Sequence, residues 1–245
     1  MTAQNTSFCA YSAITFDSNT EVLAAANEAG EVTLWDMYSG REISRITADA
    51  CGINKIKFLK TGQLVTVGNS VDCQIKIWDL KSAPTSWTAV FNRGLCKNYH
   101  SSSNYANNPG KRNPRYTSLL CHPVLDKIVS GTSTGSVVVW DLRTELPLEH
   151  QVQSSRITDS IVHPRHMERV ISASTDGTVC SFDMNGANSS NLGVFNTLAG
   201  NGMPEQSVVK TLLTEPATFC SLDYDLDSRM MMSVSTLGSF FRLQL

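Results

Sequence analysis

Short apolar runs alternate with polar turns along most of the chain, and the runs come in matched sets. "AITF" (13–16), "IKFL" (56–59), "LLCHP" (119–123), "SIVHP" (160–164) and "FCSLDY" (219–224) each lead through a polar turn to a second run: "EVLAAA", "QLVTVG", "KIVSG", "RVISAS" and "RMMMSVS". A third run then begins at a tight turn, as "GEVTLWDMYS" from Gly30, "CQIKIWDLKS" from Cys73 and "GSVVVWDLRT" from Gly135, with weaker copies "GTVCSFDMNG" from Gly177 and "GSFFRLQL" from Gly238. Runs this short, rich in Val and Ile and bounded by Gly, Asp and Ser, are β-strands rather than helices. The Asp176-Gly177 pair is a two-residue hairpin signal, because both positions tolerate positive φ.

Five residues into each third run stand Trp35, Trp78, Trp140, Phe182 and Leu243, spaced by 43, 62, 42 and 61 residues. Two spacings are one repeat and two are a repeat plus about twenty residues; a period in the low forties is that of a four-stranded propeller blade. Along "SVVVWD" both strand faces are apolar, as expected where a further sheet stacks on each side. Trp140 then fills space between sheets, its N–H seeking a partner. The acids that follow, Asp36, Asp79, Asp141 and Asp183, sit at strand ends where a carboxylate can accept backbone N–H bonds in the turn. The Trp-Asp pairs are therefore read as architecture, not chemistry.

This predicts an all-β propeller forming one domain over 1–245, with blades at about 9–48, 52–92, 116–154, 156–200 and 206–245 and a loop insert at 93–115. Blades one to four should each be a four-stranded antiparallel sheet with the Gly-to-Trp strand third, and 177–183 should pair with 169–174. Between 184 and 217, "LGVFNTL" and "QSVVKTLL" are both possible strands, one of them the outer strand of blade four. The last blade has no outer strand of its own, so an open ring, or one weakly closed by residues 2 to 8, is expected, with a tendency to self-associate.

Composition agrees with a packed core: 41% hydrophobic, 8% aromatic and 17% charged. A net charge of −2 gives no overall attraction to nucleic acid or membrane. No apolar run reaches the length of a membrane-spanning helix, and the first residues lack the basic and apolar regions of a secretory signal. Seven cysteines, an odd number spread over the repeats, favour reduced thiols in cytosol or nucleus.

Candidate chemistry is thin. Cys96 and His100 are four apart, but no second pair has metal spacing. His122 and His163 occupy matching places, each before proline, and read as turn residues. His166 and Glu168 share a turn without a nucleophile nearby. Neither a phosphate-cradling glycine loop nor a Gly-x-Ser-x-Gly elbow is found. No catalytic, metal, cofactor or small-molecule site is expected. A hydrolytic propeller would need polar residues converging on the central channel, and the sequence groups none.

Segment 92–116 carries Arg93, Lys97, Lys111, Arg112 and Arg115 with no acid, interleaved with Tyr99, Tyr105 and Tyr116. Such interleaving suits nucleic acid or an import signal, but the Asn, Ser and Pro content favours a solvated loop without specific nucleic-acid binding. Partner interfaces lean on aromatic and Arg anchors, so Arg112, Arg115 and Tyr116 are the candidate partner contacts.

Tight turn, strand and Trp-Asp at this period resemble WD40 repeats, in three good copies and two degenerate ones. The histidine of the family's usual Gly-His start is missing and its tight-turn acid is present only as Asp176, so the family's buried His–Asp–Ser–Trp hydrogen-bond network is not expected in most blades. In the order of its features the chain resembles the C-terminal five repeats of the nucleoporin forty-three family, small WD-repeat subunits of the Y-shaped outer-ring complex of the nuclear pore. That family has roughly two further repeats upstream, so the chain could be the shortened part of a seven-bladed propeller. The resemblance implies a non-enzymatic scaffold at the nuclear envelope, docked on helical nucleoporins and supporting nucleocytoplasmic transport of protein and mRNA. A WD40 adaptor of a chromatin or ubiquitin-ligase assembly is the alternative.

Overall fold

The computed structural model describes residues 9–70, 75–80, 90–91, 115–143, 147–185, 209–214, 218–225 and 229–244. The described residues form nineteen strands and no helix. The chain divides into two compact units, Met1–Asn113 and Pro114–Leu245.

In the first unit, β1 (Tyr11–Asp17), β2 (Val22–Asn27), β3 (Glu31–Asp36) and β4 (Glu42–Thr47) pair in sequence order as one antiparallel sheet. A second sheet follows, from β5 (Ile53–Phe58), β6 (Leu64–Gly68), β7 (Ile75–Trp78) and β8 (Val90–Phe91). In the second unit, β9 (Leu120–Cys121), β10 (Lys127–Gly131), β11 (Ser136–Asp141) and β12 (Pro147–Gln151) form the third sheet. The fourth consists of β13 (Ile157–Val162), β14 (Arg169–Ser174), β15 (Thr178–Asp183) and β16 (Val209–Thr214). The fifth has three described strands, β17 (Phe219–Asp225), β18 (Met230–Ser235) and β19 (Phe240–Gln244). The Gly-to-Trp strand is third in each of the first four sheets, and 169–173 pairs with 179–183.

One boundary moves. The outer strand of the fourth sheet is Val209–Thr214, paired with β15 from Thr178↔Thr214 to Phe182↔Val209. The blade bounds expected from the sequence put that segment in the fifth blade and end the fourth at 200, whereas "QSVVKTLL", one of the two candidates for the outer strand, is the one that pairs. The other candidate, "LGVFNTL", lies outside the described residues, as do residues 2 to 8 and 92–114.

Each sheet has two unlike faces. In the first four sheets one face bears aromatics and long aliphatics and the other mainly Ala, Val and Ile; in the fifth the second face bears Val234, Met232 and Phe240. Within the first unit, Ile53, Ile56, Phe58, Leu64 and Trp78 of the second sheet pack on Ala24, Ala26, Val32 and Leu34 of the first. Within the second unit, Ile157, Val170 and Phe182 of the fourth sheet pack on Val129, Val137 and Val139 of the third. Phe219, Leu222 and Met231 of the fifth pack in turn on Ile171, Ala173 and Val179 of the fourth. Large residues against small ones let neighbouring sheets approach closely and interdigitate. Full burial of a side chain of this size contributes about 1.5–3 kcal/mol.

The turn between second and third strands demands glycine. At Gly135 φ is +85°, and a Cβ there would meet the Gln153 carbonyl oxygen at 2.1 Å; at Gly30 φ is +89° and Asp49 O would lie at 1.8 Å. Any side chain would push the incoming linker off the turn.

Candidate functional site

The Trp-Asp positions are structural. Trp140 and Phe182 are fully buried, Trp35 is half-buried, and Trp78 is buried with its indole N–H donating to Thr66 Oγ1 at 3.0 Å. The acids close turns: Asp141 accepts the Arg143 N–H and Asp183 the Asn185 N–H, each at 2.8 Å. Asp36 accepts the N–H groups of Tyr38 and Ser39 at 2.8 and 2.9 Å. The Ser39 N–H foremost holds the Asp36 carboxyl below its ordinary pKa. Asp79 stands half-buried beyond the end of β7.

A hydrogen-bond network does exist in the fourth sheet, whose tight turn keeps the acid Asp176, although the Gly-His histidine is missing. Gln153 takes the bridging place. Its Oε1 accepts from Ser172 Oγ at 2.8 Å, and its Nε2 donates to Thr178 O at 2.8 Å and Thr178 Oγ1 at 3.0 Å. Asp176 completes the network, its Oδ1 accepting from the Thr178 hydroxyl (2.6 Å) and N–H (3.0 Å) and its Oδ2 from the Ser154 N–H (2.8 Å) and hydroxyl (2.9 Å). Partial burial opposes ionisation of Asp176, but these donors from Thr178 and Ser154 outweigh it and hold the carboxyl below the ordinary range.

The proposed partner contacts separate. Tyr116 is not a surface anchor: it is buried and meets Trp140 edge-on, ring centroids 5.3 Å apart at 71°. The physical reason is its register. Tyr116 bridges Thr132, just as Ile53 pairs with Gly68, Ile157 with Ser174 and Phe219 with Ser235. All four are core residues at the start of a sheet. Arg115 is exposed, its backbone tied to Ser133 through its N–H to Ser133 Oγ (3.0 Å) and its carbonyl to the Ser133 N–H (2.8 Å). Arg112, Cys96 and His100 lie outside the described residues.

What the sequence left unassigned is a pair of turns at the other end of the third and fourth sheets. His122 is buried in the turn after β9. Its Nδ1 accepts the N–H groups of Val124 (3.1 Å) and Leu125 (2.8 Å). The ring proton is thereby fixed on Nε2, which donates to the Met167 carbonyl of the next turn at 2.8 Å. Around this imidazole, Val124 and Met167 are exposed, with Arg165 and His166 exposed beside them. Arg143 donates to Asp126 Oδ2 from Nε (3.0 Å) and Nη2 (2.9 Å). His163 packs on His166, ring centroids 4.9 Å apart, and His166 Nδ1 lies 3.5 Å from Glu168 Oε1. Burial first, then the charges of His166 and Arg169, holds the His163 pKa below its ordinary value. The matched "HP" residues thus organise turns as the sequence suggested, and one of them joins two turns into a single surface. Two exposed apolar side chains at fixed separation, with exposed Arg165 beside them, can grip a partner; Arg143 and His166 each stand against a carboxylate, Asp126 and Glu168.

Consecutive antiparallel sheets, with a Trp-Asp or Phe-Asp pair closing the third strand of each of the first four, define a β-propeller repeat protein. Residues 9–211 match the family described as Nucleolar protein 10-like, N-terminal domain, and the chain belongs to that β-propeller family. No curated protein matches the chain.

Proposed function

We propose that this protein is a non-enzymatic interaction propeller that holds protein partners together in the nucleus, docking them on the joined turns 122–126 and 163–168. The observation that carries the reading is the His122 imidazole, bonded to both turns, which holds exposed Val124 and Met167 at fixed separation. Rigid sheets presenting adapted turns are a common way to build recognition. Exposed Arg165 beside these two side chains favours a partner segment that combines an acidic with apolar side chains. The family's description names a nucleolar protein, and residence in the nucleolus is our extension of it to this chain.

A second reading, a scaffold subunit docked on helical nucleoporins of the Y-shaped complex, is favoured by the order of repeats and inserts along the chain. Imaging of a tagged protein and identification of what co-purifies separate the two. Nucleolar enrichment is expected; a rim at the nuclear envelope with helical nucleoporins recovered would favour the second reading instead. The double variant Val124→Asp, Met167→Asp should keep its melting temperature and lose its partners. Unchanged recovery of partners by that folded variant would move the docking surface elsewhere, and Arg115→Glu tests the opposite end of the third sheet.

A further inference from the structure

The residue just ahead of each sheet's first core position makes the same backbone bond in every sheet. The carbonyls of Ala10, Gly52, Arg115, Arg156 and Thr218 accept the N–H groups of Glu28, Asn69, Ser133, Thr175 and Thr236, at 2.8–3.0 Å. The bond asks nothing of the side chain, and Ala, Gly and Thr serve in three sheets. In the third and fourth, neighbours within the second unit, the residue is arginine. Both arginines are exposed, and among the described residues neither guanidinium is hydrogen-bonded or ion-paired. The fold therefore does not account for either cation.

One turn brings the two together. Arg115 donates its N–H to Ser133 Oγ at 3.0 Å. The residue before that serine, Thr132, accepts with its carbonyl the N–H of Ile157, next to Arg156, at 3.0 Å. The Thr117 hydroxyl donates to the Ile157 carbonyl and locks the same junction. Exposed Ser133, Thr134 and Ser154 stand around the pair, and Ser133 Oγ, which accepts from Arg115, keeps its own proton to donate. On the turns and connections at this end, 115, 132–135, 152–156 and 174–177, Asp176 is the one carboxylate, and both its oxygens are engaged by Thr178 and Ser154. Further along, Glu149 lies on β12 opposite Val138, and Asp159 on β13 accepts from Ser221 Oγ and the Leu222 N–H. Lys111, Arg112 and Glu215 lie outside the described residues and are no part of the site.

We propose that this end of the third and fourth sheets is a phosphate-binding site, where Arg115 and Arg156 clamp one phosphoserine or phosphothreonine of a partner protein and Ser133 adds a hydrogen bond. Planar guanidinium groups pair with phosphate oxygens bidentately, and a phosphorylated side chain brings close to two negative charges to one point. A nucleic-acid strand asks instead for a longer row of cations and for aromatic faces under its bases; here two arginines stand among hydroxyls. The site is at the opposite end of these sheets from turns 122–126 and 163–168, so neither depends on the other.

Beads carrying short peptides with a central phosphoserine between randomised residues should retain the purified full-length protein, and beads with serine in its place should not. Arg115→Gln and Arg156→Gln should each weaken retention about tenfold or more, as loss of a charge-assisted hydrogen bond does, and the double variant should lose it. Their melting curves should match the parent's, because the backbone bonds remain. Arg41→Gln, ahead of β4 in the first unit, should bind like the parent. No retention on the phosphoserine beads, equal retention on the serine beads, glutamine variants that bind as the parent does, or an equal loss in Arg41→Gln would each overturn the proposal. So would random-sequence single-stranded RNA held more tightly than the phosphoserine peptides and released by the double variant, which would make the surface a nucleic-acid site.

Discussion

In the third sheet the hairpin between β10 and β11 is closed by Thr132. Its hydroxyl accepts the Ser136 N–H and donates to the Ser136 carbonyl, both at 3.0 Å. In the fourth sheet the equivalent hairpin is closed by Asp176, which serves Thr178 within the turn and also Ser154 on the linker arriving from the third sheet. The Thr132 hydroxyl ties only its own turn, whereas Asp176, a carboxylate with two oxygens, ties the turn and its neighbour, as does the Ser174 hydroxyl through the Ser155 carbonyl. The repeat therefore tolerates loss of the acid where local bonds suffice, and the charged version couples the turn to the next connection and to pH. The fillers differ too: a Trp edge-on to a Tyr in the third sheet, a Phe packed beside His150 at 6.4 Å between centroids in the fourth.

The largest effects test whether those fillers are equivalent. Trp140→Ala and Phe182→Ala should each cost about 3–5 kcal/mol in denaturant unfolding. A markedly smaller loss for Phe182 would break the parallel and make the fourth sheet the looser one. Next come the turn residues. Asp176→Ala strands the donors of Thr178 and Ser154 and should cost about 1–3 kcal/mol, against about 1 kcal/mol for Thr132→Val. Equal losses would mean that the tie to Ser154 adds nothing.

Acid sharpens the contrast further. The Asp176 pKa is lowered in the fold, so its stabilisation is present above the ordinary carboxylate value of about 4 and is lost as pH falls through the folded value. His150 is shifted down first by burial, against the raising charges of Asp183 and Glu149. The unfolded imidazole then takes a proton first, and stability falls as pH drops below about 6.5 toward the folded value. Unfolding curves across pH should lose the acid-side component in Asp176→Asn, and part of the near-neutral component in His150→Gln, with His163 contributing the rest. The smallest effect belongs to the surface: Arg143→Ala breaks an exposed ion pair with Asp126 and should change stability by no more than about 1 kcal/mol.

Strands, turns and their order were legible in the sequence because period-two apolar runs and turn glycines recur in phase. The outer strand of the fourth sheet was not, since "LGVFNTL" and "QSVVKTLL" have equal strand character and only pairing with β15 selects between stretches of chain. Tyr116 was misplaced because it ends a basic insert and was judged by its neighbours there. The signal that finds it is phase: Tyr11, Ile53, Tyr116, Ile157 and Phe219 all face the end of a second strand. The His122 tie to Met167 could not be foreseen, because it joins residues 45 positions apart through a backbone carbonyl that carries no sequence signal. Gln153 escaped notice for a similar reason: an amide standing in for an imidazole leaves no motif, only a geometry.

The unlike faces of the sheets also bear on how the protein is made. A ribosome delivers the N-terminal side first, and in both units it is the later sheet that brings the aromatics. The second and the fourth sheet therefore wait with Val, Ile and, in the fourth, Ala uncovered, while the bulky face of each is already seated on the sheet before it. In those two the most adhesive surface is shielded as soon as it folds, and the growing chain shows the milder of their two sides.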